Sequence, residues 1–442
     1  MYRKRKRIYA VAMLLIIAAA ILLQSINLNN DEQVYQQTVE DTEQKATVQD
    51  ALYDNSGQSA GEAAESTTQD EDAATTEEIV TDESGDGAFA LCGQLLDEDT
   101  EREIDGILTQ MTVEEKVGQL FFIKDDGRFR SDILAQYPVG GVILFDGDFK
   151  GKSVQNLRDY ISAFQENSSY PLLIGVDEEG GTVIRLSKYS TYASAPFRSP
   201  RELYSAGGFE VIRDDTVLKS ELLLSYGINV NFAPVCDVSG NPNDFMYSRS
   251  VSGDVDVVSE FAALSVSVMH DEGIGSVLKH FPGYGGNGDT HTDVIRDSRA
   301  YETFTEEDFK PFQAGIEAGA DCVLVSHNIV ECMDSDMPAS LSYEVHRILR
   351  NELGFNGVII TDDLMMRGVS AYVDENESAV QAILAGNDMI LSTYYDVQYQ
   401  AVLDAVNEGV ITEARLDASV RRILRWKYSL GIMDTASVAQ TE

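Results

Sequence analysis

The chain has 442 residues, with 74 Asp and Glu against 33 Lys and Arg and a formal net charge of −41. So acidic a surface repels phosphate backbones and excludes nucleic acid as a partner. The four cysteines, Cys92, Cys236, Cys322 and Cys332, share no paired spacing, which argues against a disulfide framework and a zinc pattern; Cys236 and Cys322 lie in strand-like runs and are expected as buried thiols.

The first thirty residues read as a targeting segment. Arg3, Lys4, Arg5, Lys6 and Arg7 precede an uncharged apolar run from Ile8 to Leu23, the pattern of a signal peptide or a short membrane span. Leu23-Gln24-Ser25-Ile26-Asn27-Leu28 offers no small-x-small cleavage site and no nearby cysteine could accept lipid, which favours a retained anchor over a secreted form. Basic residues stay on the cytoplasmic side, so a single-pass arrangement at the cell membrane is expected, with the body of the protein outside. Residues 31–94 follow as a linker. From Asp31 to Asp86 there are 17 acidic residues and one lysine, with little that is large and apolar. That stretch cannot bury enough surface to offset its ordering entropy, and its charges repel, so a disordered, extended tether is expected.

From about Glu101 short β-branched apolar runs alternate with longer amphipathic stretches. The runs are Gly118 to Ile123, Gly140 to Phe145, Leu172 to Val176, Ile228 to Pro234, Gly275 to Lys279, Asp321 to Val325, Gly357 to Thr361 and Asp388 to Leu391. Between them, Ser199 to Tyr226, Val255 to Asp271, Glu306 to Ala318 and Ser342 to Leu353 carry apolar residues at helical spacing. Eight such repeats predict an α/β fold: a (β/α)8 TIM-type barrel forming a single domain over residues 95–433, with 434–442 as a tail. An open doubly wound sheet gives a similar pattern. Polar residues close most of the runs: Asp177, Asp237, Lys279 with His280, His327, and Asp362 with Asp363. In a barrel these ends converge on one site. An Asp after a strand also serves as a helix cap or turn residue, but five strand ends agree.

The segment from Lys279 to His291 is the most informative. It holds two of the chain's five histidines, a lysine and an aspartate among four glycines. A packed core has no use for that mixture, because glycine costs backbone entropy and polar groups cost desolvation. A ligand-presenting loop is expected. His280, Asp289 and His291 could be read as metal ligands, but no metal spacing supports the set and none is expected.

Several segments together resemble glycoside hydrolase family 3, in its single-domain β-N-acetylglucosaminidase branch. They are Ile174-Gly175-Val176-Asp177-Glu178-Glu179-Gly180-Gly181 with Arg185, Asn231-Phe232-Ala233-Pro234-Val235-Cys236-Asp237-Val238, Ser248-Arg249-Ser250, Lys279-His280-Phe281-Pro282-Gly283, Asp289-Thr290-His291, Pro338-Ala339-Ser340-Leu341-Ser342, and Thr361-Asp362-Asp363-Leu364. They run in the family's order over residues 95 to 433. The resemblance implies a retaining exo-glycosidase that removes terminal N-acetylglucosamine from peptidoglycan fragments or related glycans, without a cofactor and as a monomer. It assigns Asp362 as nucleophile, with Asp363 as the local rival, and His291 oriented by Asp289 as acid/base. It assigns Asp177, Arg185, Arg249, Lys279 and His280 to the hydroxyls of the terminal sugar.

Two departures from the family pattern fall in the catalytic loop. Tyr284 stands where many members carry a histidine, and the stretch from Gly285 to Asp289 is one residue shorter than usual. Tyrosine keeps a hydroxyl, so a hydrogen-bonding role is expected to survive. No second domain is expected after Met433, which argues against the multi-domain β-glucosidases of the family. A β-N-acetylglucosaminide phosphorylase or a β-glucosidase on the same scaffold, and a non-catalytic glycan-binding wall protein, are the alternatives. His270 and His346 fall in helical stretches and are expected to be surface or structural.

Overall fold

The computed structural model describes residues 90–91, 94–124, 131–290 and 293–433. The expected anchor, nearly all of the tether, His291 and the tail lie outside the described residues. Among the described residues no helix is long and apolar enough to cross a membrane.

Eight parallel strands form one sheet: β1 (Phe121–Lys124), β2 (Gly141–Leu144), β3 (Leu173–Val176), β4 (Val230–Asn231), β5 (Gly275–Phe281), β6 (Cys322–Val325), β7 (Val358–Thr361) and β8 (Ile390–Ser392). Each pairs with its neighbour in chain order, and β8 returns to β1 with Ile390 opposite Phe121. A parallel bridge between Ile360 and Met389 closes the remaining seam. The sheet is therefore a barrel. A doubly wound sheet would reverse its strand order, and this one does not.

All eight expected runs contain a strand, with shifted bounds. The first begins late because Val113–Gln119 is a helix, capped reciprocally by Thr112 and Glu115. The fourth shortens to two residues, yet the Val277 and Lys279 amides still donate to the Ala233 and Pro234 carbonyls. Helices α1 (Pro200–Leu224) and α2 (Val255–Asp271) match expectation closely. The other two segments are each part α-helix and part π turn: Phe304–Asp308 precedes α3 (Phe309–Glu317), and Ile348–Glu352 follows α4 (Tyr343–Arg347).

The barrel interior is filled by side chains. Phe122 and Phe232 meet edge-on at 5.2 Å. A Cβ on Gly175 would come within 2.6 Å of the Phe232 ring, and one on Gly141 within 2.8 Å of the Phe122 ring. Glycine is required at both places so that the two rings fit. Cys236 and Cys322 are buried, as expected, and burial pushes both thiols up.

Before β8, Asp388 is fully buried and ion-paired to Arg350, Arg422 (3.2 Å) and Arg415 (3.8 Å), and it accepts the Ile359 N–H (3.0 Å). Burial pushes its carboxyl up, but Arg350, then Arg422 and Arg415, outweigh that and hold it down at about 2. Its contribution is therefore present above the ordinary carboxylate range and lost as pH falls through about 2. Asp388→Ala would leave three partly buried guanidinium groups without a counter-charge. We expect chemical denaturation to show a loss of about 3–5 kcal/mol.

Candidate active site

A cavity of about 650 Å³ opens at the C-terminal ends of the strands, lined by Asp177, Arg185, Arg249, Lys279, His280, Asp289 and Asp362. Every sugar-binding or catalytic residue expected from the sequence is thus brought to one place, apart from His291, which is outside the described residues.

Three carboxylates follow β3, and each has a different task. Asp177 Oδ1 accepts from Lys279 Nζ at 2.6 Å, and its other oxygen lies 3.9 Å from Arg185. Glu178 turns away from the cavity and accepts the backbone N–H groups of Arg185 (2.9 Å), Leu186 (2.8 Å) and Ser187 (3.3 Å), together with the Ser187 hydroxyl. It thereby folds the loop that carries Arg185. Glu179 lies beneath the cavity wall. It receives Lys279 Nζ at 2.7 Å and both Nε (2.9 Å) and a terminal nitrogen (2.6 Å) of Arg249. Burial disfavours its charge, but Arg249 and Lys279 outweigh that and hold the carboxyl well below the usual range.

Lys279 and His280 both line the cavity, on either side of a cis peptide. His280 Nε2 meets Arg249 at 3.0 Å and Nδ1 meets Asp237 Oδ2 at 2.8 Å. A guanidinium can only donate, so Nε2 must accept and Nδ1 carries the proton. Burial pushes the imidazole pKa down, Arg249 adds to this, and Asp237 offsets part of it. His280 is neutral. The other Asp237 oxygen accepts the Tyr284 N–H at 2.8 Å, and the Tyr284 hydroxyl meets Thr290 Oγ1 at 2.6 Å, both side chains buried. The expected hydrogen-bonding role of Tyr284 is thus met by a neighbour of Asp289.

The β7 end separates the two candidate nucleophiles. The Asp362 N–H bonds the Val325 carbonyl at 3.1 Å, and its Oδ1 accepts the Asp363 N–H at 2.8 Å. Asp363 Oδ1 accepts the Met365 N–H at 3.1 Å, while Oδ2 accepts the Thr393 hydroxyl at 2.7 Å and faces Lys124 at 3.7 Å. Asp363 therefore organises its own turn and pairs across to β1.

This geometry makes two further groups essential, Glu179 and Asp237. Glu179 sat in the quoted Asp177-Glu178-Glu179 run, and three successive carboxylates at a buried strand end were a signal of buried cationic partners. Asp237 was noted at its strand end, without its role as the partner of His280.

A closed parallel barrel with a polar cavity of carboxylates, cations and an imidazole at the C-terminal ends of its strands has the architecture of a barrel enzyme. The chain belongs to glycoside hydrolase family 3: the glycosyl hydrolase family 3 N-terminal domain matches residues 112–426. It is 34% identical over 304 residues to a beta-hexosaminidase of Xylella fastidiosa strain M23, covering 67% of this chain and 88% of that one. Its fold is similar to that of a family 3 beta-N-acetylglucosaminidase from Paenibacillus sp. strain FPU-7, with TM-score 0.68 and 29% identity over 74% of this chain and 67% of the other. It is also similar to a beta-N-acetylhexosaminidase from Beutenbergia cavernae, with TM-score 0.64 and 26% identity over 72% and 99% of the two chains.

The neutral His280 has a measurable consequence. Unfolded histidine titrates near 6.5. Below that pH the unfolded chain takes up a proton that native His280 refuses, so stability falls as pH drops from there toward the lowered native pKa. Nitrogen-15 NMR should show a neutral Nδ1–H tautomer at pH 7, and an imidazolium signal at that pH would contradict the assignment.

Proposed function

We propose that this chain is a retaining, exo-acting β-N-acetylglucosaminidase that removes terminal β-linked N-acetylglucosamine from peptidoglycan fragments or related glycans. The observation that carries this reading is the single cavity in which Asp362 and Asp289 share a lining with Asp177, Arg185, Arg249, Lys279 and His280. A sugar presents dense donors and acceptors, and charged groups pair with them strongly. Here Glu179 already fixes two of the cations, so binding requires little rearrangement of them. The named activities of the relatives support the choice of sugar.

Asp362 attacks the anomeric carbon as the bond to the leaving oxygen breaks, forming a glycosyl-enzyme. His291 gives its proton to that oxygen, then takes one from the water that attacks the same carbon and releases Asp362. Asp289, two residues before His291, lines the cavity and orients the imidazole. Asp362, directly at the strand end, matches the position the family uses as nucleophile, while Asp363 pairs with Met365, Thr393 and Lys124. The basic and apolar first thirty residues support placing a monomeric enzyme outside the cell membrane on an acidic tether.

Trapping with a 2-fluoro glycosyl substrate followed by peptide mapping should label Asp362; label on Asp363 or Glu178 would overturn the site assignment. Asp362→Asn should lower kcat by at least about a thousandfold. An aryl β-N-acetylglucosaminide should be cleaved much faster than the matching β-glucoside, with free sugar and not sugar 1-phosphate as product when phosphate is present. Protease added to intact cells should degrade the catalytic domain; full protection would refute the outward placement.

A further inference from the structure

His327 lies two residues beyond β6, is fully buried, and does not line the cavity. Its Nε2 is 3.1 Å from the Asp363 carbonyl oxygen and its Nδ1 is 2.7 Å from Ser340 Oγ. A carbonyl only accepts, so Nε2 carries a proton and donates it to Asp363, while Nδ1 is hydrogen-bonded to the Ser340 hydroxyl. Ser340 is itself fixed: its N–H bonds the Ser326 carbonyl at 3.0 Å, and its carbonyl accepts from Asn387 at 2.7 Å. The imidazole is therefore a strut from the β6 end to the turn that carries Asp362.

That turn is also tied by the Asp362 N–H to Val325, by the Leu364 N–H to the Leu391 carbonyl at 3.3 Å, and by the Asp363 side chain to Thr393 and Lys124; His327 adds a side-chain donor to the Asp363 carbonyl itself. The Met366 N–H bonds the same Asp363 carbonyl at 2.9 Å, closing the turn on itself without fixing its direction. Two residues later the Gly368 N–H reaches the Thr290 carbonyl at 3.3 Å. A Cβ at Gly368 would stand 2.8 Å from the His327 Cβ and 3.6 Å from that of Thr290, so the backbone passes directly against the imidazole stem.

We propose that His327 is a positioning residue for the nucleophile: its Nε2–H on the Asp363 carbonyl sets the turn that aims the Asp362 carboxylate at the anomeric carbon. The proposal rests on Asp362 being the nucleophile. Misplacing a reacting group by about 1 Å can cost about a hundredfold in rate, and binding of the sugar by Lys279, Arg249 and Asp177 does not pass through this strut.

The test is inactivation by the 2-fluoro glycosyl substrate in wild type and in His327→Ala, His327→Asn and His327→Gln. Glutamine can place an amide N–H near the Nε2 position, and asparagine cannot reach it. Alanine and asparagine should slow the inactivation step about ten- to a hundredfold while inhibitor affinity stays within about twofold, and glutamine should recover most of the rate. Equal rates for glutamine and asparagine, an unchanged rate in alanine, or a loss carried by affinity would overturn the proposal. So would failure of all three variants to fold, judged by circular dichroism, which would assign His327 to the fold alone. Label on a residue other than Asp362 in wild type would instead refute the catalytic reading, whatever the variants do.

Discussion

The site depends on one buried carboxylate. Glu179 stands between Lys279 and Arg249, and without it two cations would face each other in a poorly hydrated wall. Because Lys279 lies near the end of β5 and Arg249 in the long connection after β4, this one group ties together three parts of the barrel rim. Order then spreads outward by charge-assisted hydrogen bonds: Lys279 to Asp177, Arg249 to His280, His280 to Asp237, and Asp237 to the Tyr284 backbone. Within that series the Arg249 guanidinium fixes the His280 tautomer, since it leaves Nε2 only the role of acceptor.

The two ends of the barrel use buried charge differently. At the base, Asp388 gathers three arginines around a fully buried carboxylate and joins the β7 and β8 segments to the final helix, Glu413–Ser429. At the rim, Glu179 holds Lys279 and Arg249 and Asp237 holds His280, and all three held groups line a cavity. The same chemistry serves stability in one place and presentation in the other, as expected for a barrel whose reacting groups stand on its C-terminal face.

Much of this was legible in the sequence because strands buried on both faces leave unbroken apolar runs, and the residues that end those runs share one rim. Asp177, Lys279, His280 and Asp362 were found in this way. Arg185, Arg249 and Asp289 lie in connecting loops, where no periodicity constrains them, and their place came from the family resemblance. Eight repeats favoured a barrel over an open sheet, but the contact that closes it, a bridge between Ile360 and Met389, is defined only by three-dimensional neighbours. The π turns at Phe304–Asp308 and Ile348–Glu352 escaped for a related reason: one extra residue in a turn barely disturbs an apolar stripe, yet redirects the backbone. The opposed tasks of Glu178 and Glu179 were equally hidden, because neighbouring identical carboxylates differ only in what packs against them.

The aromatic plug built on Gly141 and Gly175 has a consequence for how a polymer can be processed. Among the described residues, Phe122 and Phe232 fill the barrel along its axis, so a glycan strand does not pass through it. An enzyme that acts at chain ends, as proposed, then releases the strand by the way it entered after every cut. Turnover on a long chain would then be distributive, and its rate would follow the number of chain termini in solution and not the mass of polymer.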